Sequence, residues 1–136
     1  MKAKVLVAYD GSEQARRALD WATHVAQGAP VSVIGVAPAL AGSPRITDAI
    51  DPTSDADEHR RQLDEASALL AASGVKAETI LKVGNPAEEI INAADDGHFD
   101  VILVGIQGMN PVKRFFIGSV ADRVVRYATV PVLVVR

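Results

Sequence analysis

The stretch VILVGIQGMNPVKRFFIGSVADRVV, residues 101–125, decides how the chain is read. An apolar run closes on Gly105. Gly108 follows after two residues, and nine more separate it from Gly118 and Ser119. From there Val120, Ala121, Val124, Val125 and Ala128 recur at helical spacing. The pattern is strand, glycine loop, helix. A glycine admits positive φ and lets a ligand approach without meeting a Cβ. Gly105 is therefore expected to turn the chain sharply off its strand, and Gly108 to keep the loop amides accessible. Gly118 and Ser119 open a helix whose free N–H groups and positive dipole end attract an anion such as phosphate. The Ser119 hydroxyl is a further donor, and Lys113 and Arg114 in the loop could face a polyphosphate. The competing reading is structural: glycines serving turns, and Ser119 capping the helix with Asp122 completing an S-x-x-D box. Asp122 would be a poor neighbour for a phosphate and is expected to point outward. The loop is not a Walker A motif, since no lysine precedes Ser119, and it is not the G-x-G-x-x-G fingerprint.

Outward from this stretch the chain alternates strands and helices. KVLVAYD is an apolar run closed by Asp10 and Gly11, a strand buried on both faces. Ser12 caps a helix striped by Ala15, Ala18, Leu19, Ala22, Val25 and Ala26, which stops at Gly28. Trp21 is expected to cover the sheet. PVSVIGVA is a second strand. Residues 38–55, rich in proline, small residues and acids, read as a long loop able to lie over a site as a lid. Helical spacing resumes at about Asp57 with Leu63, Ala66, Leu69 and Leu70, and stops at Gly74. VKAETILK alternates, as an edge strand does, with Val75, Ala77, Thr79 and Leu81 on one side. NPAEEIINAA starts a helix with Asn85 as cap and Pro86 at the first position, and Glu88 and Glu89 are explained by that start. VPVLVVR is a last strand.

The order β-α-β-α-β-α-β-α-β implies an α/β fold in one domain, residues 1–136. It is an open five-stranded parallel sheet with helices on both faces. The edge-like third strand and the apolar first and fourth favour the strand order 3-2-1-4-5. Its winding reverses between strands 1 and 4, where ligands bind beyond the carboxyl ends. Asp10 and Gly105 end those two strands, which puts the glycine loop where a ligand is expected.

Composition narrows the function. Of 136 residues 49% are hydrophobic, so a core is available. The net charge of −3, from 14 basic and 17 acidic side chains, argues against a nucleic-acid binder. The absence of cysteine excludes disulfides and a thiol nucleophile and suits the cytoplasm. No apolar run approaches the roughly 18 residues of a membrane span, and the N-terminal run is too short for a signal-peptide core. His24, His59 and His98 show no metal-ligand spacing and are expected at the surface.

The glycine spacing Gly105, Gly108, Gly118 with Ser119 resembles the ATP-binding motif of the universal stress protein (UspA) family. KVLVAYDGSEQARRALDWA, VGNPAEEII and GSVADRVVRYATVPVLVVR extend the resemblance over the whole chain. It implies the same five-stranded Rossmann-like fold, related to that of the adenine nucleotide alpha hydrolases. It also implies the subgroup that binds ATP, often with Mg2+. Carried over position by position, the implied contacts are Ala8 and Asp10 after strand 1, Val36 at the end of strand 2, Gly105, Gly108, Met109, Asn110 and Pro111 in the loop, and Gly118, Ser119 and Val120 at the helix start. Ile106 and Gln107 depart from the family's usual small polar and basic residues, and Ala8 with Tyr9 from its proline-containing pair.

A response-regulator receiver would need a phosphoacceptor acid after strand 3, where this chain has LKVGN. The favoured function is a cytoplasmic, nucleotide-dependent stress-response or signalling regulator with little turnover, read by an unknown protein partner. The alternatives are a slow ATPase or adenylyl-transferring enzyme and a dimeric scaffold with an empty pocket. Val132, Leu133, Val134 and Val135 form a last edge strand with no following segment to cover it. A homodimer paired through that strand is expected, as the resemblance also implies.

Overall fold

The computed structural model describes residues 2–38, 52–107 and 116–136. Strands β1 (Val5–Ala8), β2 (Val31–Pro38), β3 (Ala77–Gly84), β4 (Val101–Gly105) and β5 (Val132–Val135) alternate with helices α1 (Glu13–Ala26), α2 (Pro52–Ala72), α3 (Pro86–Asp96) and α4 (Ser119–Tyr127). The strands form one parallel sheet in the order β3-β2-β1-β4-β5. The expected topology, with its reversal between β1 and β4, is the observed one.

The pleat of β1 explains the two-layered core. Val5 and Val7 point to one face, where they meet Ala18, Leu19 and Ala22 of α1 and Leu63, Ala66 and Leu70 of α2. Leu6 points to the other, with Ala87, Ile90 and Ala94 of α3 and Val124 of α4. All three β1 residues are fully buried, as a central parallel strand requires. Helix starts follow local chemistry. The Ser12 hydroxyl accepts the Ala15 N–H at 3.1 Å, and the Asn85 side chain accepts the Glu88 N–H at 3.1 Å.

Several expectations change. Helix α2 begins at Pro52, not near Asp57, so the supposed lid loses its last residues to a helix; residues 39–51 lie outside the described residues. Strand β3 begins at Ala77, and Thr79 is exposed rather than packed. Trp21 does not cover the sheet: it is 54% exposed and meets His24 edge-on. The α1 stripe of small residues already lies against the strands, and Trp21 falls off that stripe.

Gly105 is the fourth correction. It is the last residue of β4, and it is absent from the positive-φ positions, so it makes no sharp turn. What excludes a side chain is α1. A Cβ on Gly105 would lie 2.9 Å from Gln14 Cβ and 3.3 Å from the Ala15 nitrogen. The start of α1 rests directly on the end of β4. Gly105→Ala should therefore push α1 outward and lower the unfolding free energy by about 1–3 kcal/mol. Urea denaturation followed by circular dichroism measures this, and an unchanged midpoint would show that α1 retreats without cost.

Candidate functional site

The carboxyl ends of β1, β2 and β4 open into a cleft of about 290 Å³. That is at the low end of small-molecule sites, about 300–1,000 Å³. Of the residues singled out from sequence, Ala8, Asp10, Val36, Gly105, Gly118, Ser119 and Val120 all line it. Gly108, Met109, Asn110 and Pro111, together with Lys113 and Arg114, lie outside the described residues.

The cleft has two unlike ends. Toward β2 its walls are apolar: Ile34 and Val36 from the strand and Ile90 from α3. On the side of β4 and β5 it meets the start of α4. Gly118 is the N-cap, with φ −65° and ψ 157°, and makes no side-chain cap bond. The first intrahelical bond runs from the Asp122 N–H to the Gly118 carbonyl at 2.9 Å. The N–H groups of Ser119, Val120 and Ala121 therefore have no acceptor within the helix, and all three residues line the cleft.

This corrects two readings. Ser119 is the first helical residue, not the cap, and no S-x-x-D box forms. Asp122 instead points outward and pairs with Arg126 at 3.1 Å. The Gly118 amide is also not available to a ligand, because it donates to the Ile106 carbonyl at 2.6 Å. The Ile106 N–H in turn donates to the Val135 carbonyl at 2.7 Å. Gln107, buried, donates from Nε2 to the Phe116 carbonyl at 2.7 Å. The two ends of the glycine loop are thus clamped together, and the clamp sets where α4 begins.

At the mouth Asp10 takes part in a tight turn. Its Oδ1 accepts the Ser12 N–H at 2.9 Å across Gly11, whose φ of +82° few other residues adopt. Beside it Tyr9 is buried, lines the cleft and extends into the core under α1 and α2. Its hydroxyl has no hydrogen-bond partner among the described residues. Burial raises its pKa, and the nearby Arg16 guanidinium offsets only part of that. Arg16 itself bridges α1 to α2 through Glu65 at 2.7 Å. His59, expected on the surface, is half-buried and lines the cleft from α2. Its phase with Leu63, Ala66 and Leu70 on the buried stripe was the signal available in the sequence. Among the described residues no group of three or more His, Cys, Asp or Glu is placed to hold a metal, and no helix is long and apolar enough to cross a membrane.

Residues 1–136 match the model of the Universal stress protein family. The chain belongs to that family. It is 37% identical to the universal stress protein YxiE of Bacillus subtilis, over 98% of each chain. Its fold matches that of a universal stress protein from Archaeoglobus fulgidus solved in complex with dAMP, with a TM-score of 0.72, 27% identity and 98% of each chain covered. A universal stress protein solved in complex with cAMP matches with a TM-score of 0.74 at 25% identity, over 100% of this chain and 99% of that one. Family relatives therefore bind adenine nucleotides, and the cleft of this chain lies at the switch point of the same fold.

The Tyr9 hydroxyl yields a stability prediction. A tyrosine whose folded pKa is raised contributes stability that is present below its unfolded value, about 10, and is lost as pH rises through the folded value. Tyr9→Phe should leave the urea midpoint at pH 7 unchanged or higher, because no hydrogen bond to the described residues is removed. Above about pH 10 the variant should lose stability less steeply than the wild type. A large loss at pH 7 would show that Arg16 holds the hydroxyl after all.

Proposed function

We propose that this universal stress protein binds ATP, with Mg2+, in the β1–β2–β4 cleft and acts as a nucleotide-dependent regulator with little turnover. One observation carries the reading: an apolar wall at the β2 end and three helix-start amides at the α4 end face the same cleft. Two strand spacings, roughly 10 Å, separate β2 from β4. A nucleotide laid across them puts its base on Ile34 and Val36 and its phosphates on the N–H groups of Ser119, Val120 and Ala121. Those amides are fixed in advance by the Ile106–Gly118 bond and act with the helix dipole on an anion. The residues present fit the group. Magnesium bound with a nucleotide takes its ligands from phosphates, water and one or two carboxylates, and Asp10 is the carboxylate the described part of the cleft offers.

Slow turnover is part of the proposal. Asp10 already accepts the Ser12 amide, and His59 stands on the α2 side, away from the helix start that would hold the phosphates. ATP then serves as a conformational ligand, read by a protein partner in the cytoplasm. Assembly through β5 completes the reading. The Ile102 and Ile106 amides donate to Pro131 and Val135, so those carbonyls face β4 and the alternate residues, Val132 and Val134, turn their polar groups to the open edge. A second copy pairing there around a two-fold axis gives an isologous interface.

Gly118→Val puts a branched side chain in the cleft beside the three amides. Its φ suits any residue, so the fold should hold while ATP affinity falls at least tenfold, about 1.4 kcal/mol, by calorimetry. Unchanged affinity in the folded variant would remove the phosphate site from α4. Phosphate release by the pure protein with Mg2+ should stay well below about 10 per second; rapid release would make it an enzyme. Val134→Pro deletes an outward amide without touching the β4 ladder, and should convert a dimer to a folded monomer in sedimentation. A wild-type chain that sediments as a monomer at micromolar concentration would exclude the β5 dimer.

A further inference from the structure

We infer that His59 is a nucleoside-contacting residue, its imidazole facing the base at the β2 end of the cleft. The inference rests on the nucleotide reading above and adds a contact to it. The argument starts from the phase of α2. His59, Leu63, Ala66 and Leu70 recur at i, i+4, i+7 and i+11, a single helical stripe. The last three are buried against the sheet. Leu63 sits over Gly35, where a Cβ would lie 3.3 Å from its Cγ. Helix α2 leaves the carboxyl end of β2 and leads back to the start of β3, so it runs antiparallel to the strands. One turn before Leu63 the stripe passes beyond Gly35, toward Val36 and Pro38, where β2 ends and the cleft begins. Side chains on a helix lean toward its N-terminus, which carries the His59 imidazole further over the cleft. It lines that cleft with Val36 and Pro38.

A half-buried planar ring beside aliphatic walls suits a flat aromatic ligand. Purine bases stack on aromatic side chains, and the imidazole presents such a π-face. The phosphates belong at α4, about two strand spacings away, so His59 reads the nucleoside and not the charge. Contact with the base predicts equal effects on adenosine and ATP.

The other two histidines are internal controls. His24 lies in the last turn of α1 and His98 just before β4, both exposed and both at the opposite end of the sheet. Adenosine is titrated into the full chain while the three imidazole Cε1–H signals are followed by NMR. Only the His59 signal, assigned by its loss in His59→Ala, should move. Alanine is the best helix former, so α2 should remain intact in that variant. Calorimetry should show adenosine and ATP both weakened about tenfold, with their ratio unchanged. A His59 signal that stays still while calorimetry records adenosine binding, or a His59→Ala protein that binds both ligands as the wild type does, overturns this inference and leaves the nucleotide reading standing. A loss for ATP alone also overturns it, because the ring would then be acting on the phosphates. A wild-type protein that binds neither ligand overturns both.

Discussion

The hydrogen bond from the Gly118 amide to the Ile106 carbonyl, at 2.6 Å, is the constraint on which the site depends. It returns the chain to the end of β4 after the glycine loop, so that α4 starts at the sheet and not away from it. Two further bonds hold the same junction. Ile106 is tied to Val135 of the neighbouring strand, and the Gln107 side chain reaches the Phe116 carbonyl. The start of a helix carries orphan amides wherever it lies. Only a fixed start can present them to one point, and the cost of ordering them is then met in folding.

The opposite wall is fixed by close packing. With no side chain on Gly105, the start of α1 sits against the end of β4, and Ser12 and Ala15 come to the rim of the cleft. The same helix start brings Ser12 to Asp10. The side chain of Asp10 is thereby engaged in a turn of the backbone, while Tyr9, its neighbour, fills the space below and leaves its hydroxyl without a hydrogen-bond partner among the described residues. The mouth of the cleft and the top of the core are one structure. Substitutions at Tyr9 act on stability and on the shape of the site together.

Polarity across the cleft follows from the topology. In the order β3-β2-β1-β4-β5, helices α1 and α2 cover one face and α3 and α4 the other. The switch point leaves a gap between them above β1. The β2 side of the gap inherits the aliphatic ends of a buried strand, and the β4 side inherits a helix start. This arrangement is amphipathic without any dedicated charged pocket, which agrees with the few ionisable side chains around it: Tyr9, Asp10 and His59 among the described residues.

Much of this was legible in the sequence. The alternation of strands and helices, the caps at Ser12 and Asn85, the strand order and the position of the cleft at the ends of β1 and β4 follow from local periodicity and turn chemistry. Those signals are carried by residues near one another in the chain. Seven of the expected site residues line the cleft for that reason. The roles of some of them were decided only by the tertiary structure. Gly105 looked like a turn, but its constraint is Gln14, which is far from it in sequence and meets it only when α1 packs on β4. Gly118 looked like a free donor, but its amide is taken by Ile106. Ser119 looked like a cap, yet the helix starts one residue earlier in phase because the clamp puts Gly118 at the N-cap. His59 looked like a surface residue because nothing in its spacing marks a ligand, and Trp21 like a cover because it is large and apolar. Where each points depends on how far its helix extends past the sheet and which stripe faces it. The stripe's phase is a local signal, and it was there for His59 beside Leu63, Ala66 and Leu70; how far the helix extends past the sheet is set by contacts between distant segments, and no local pattern encodes it.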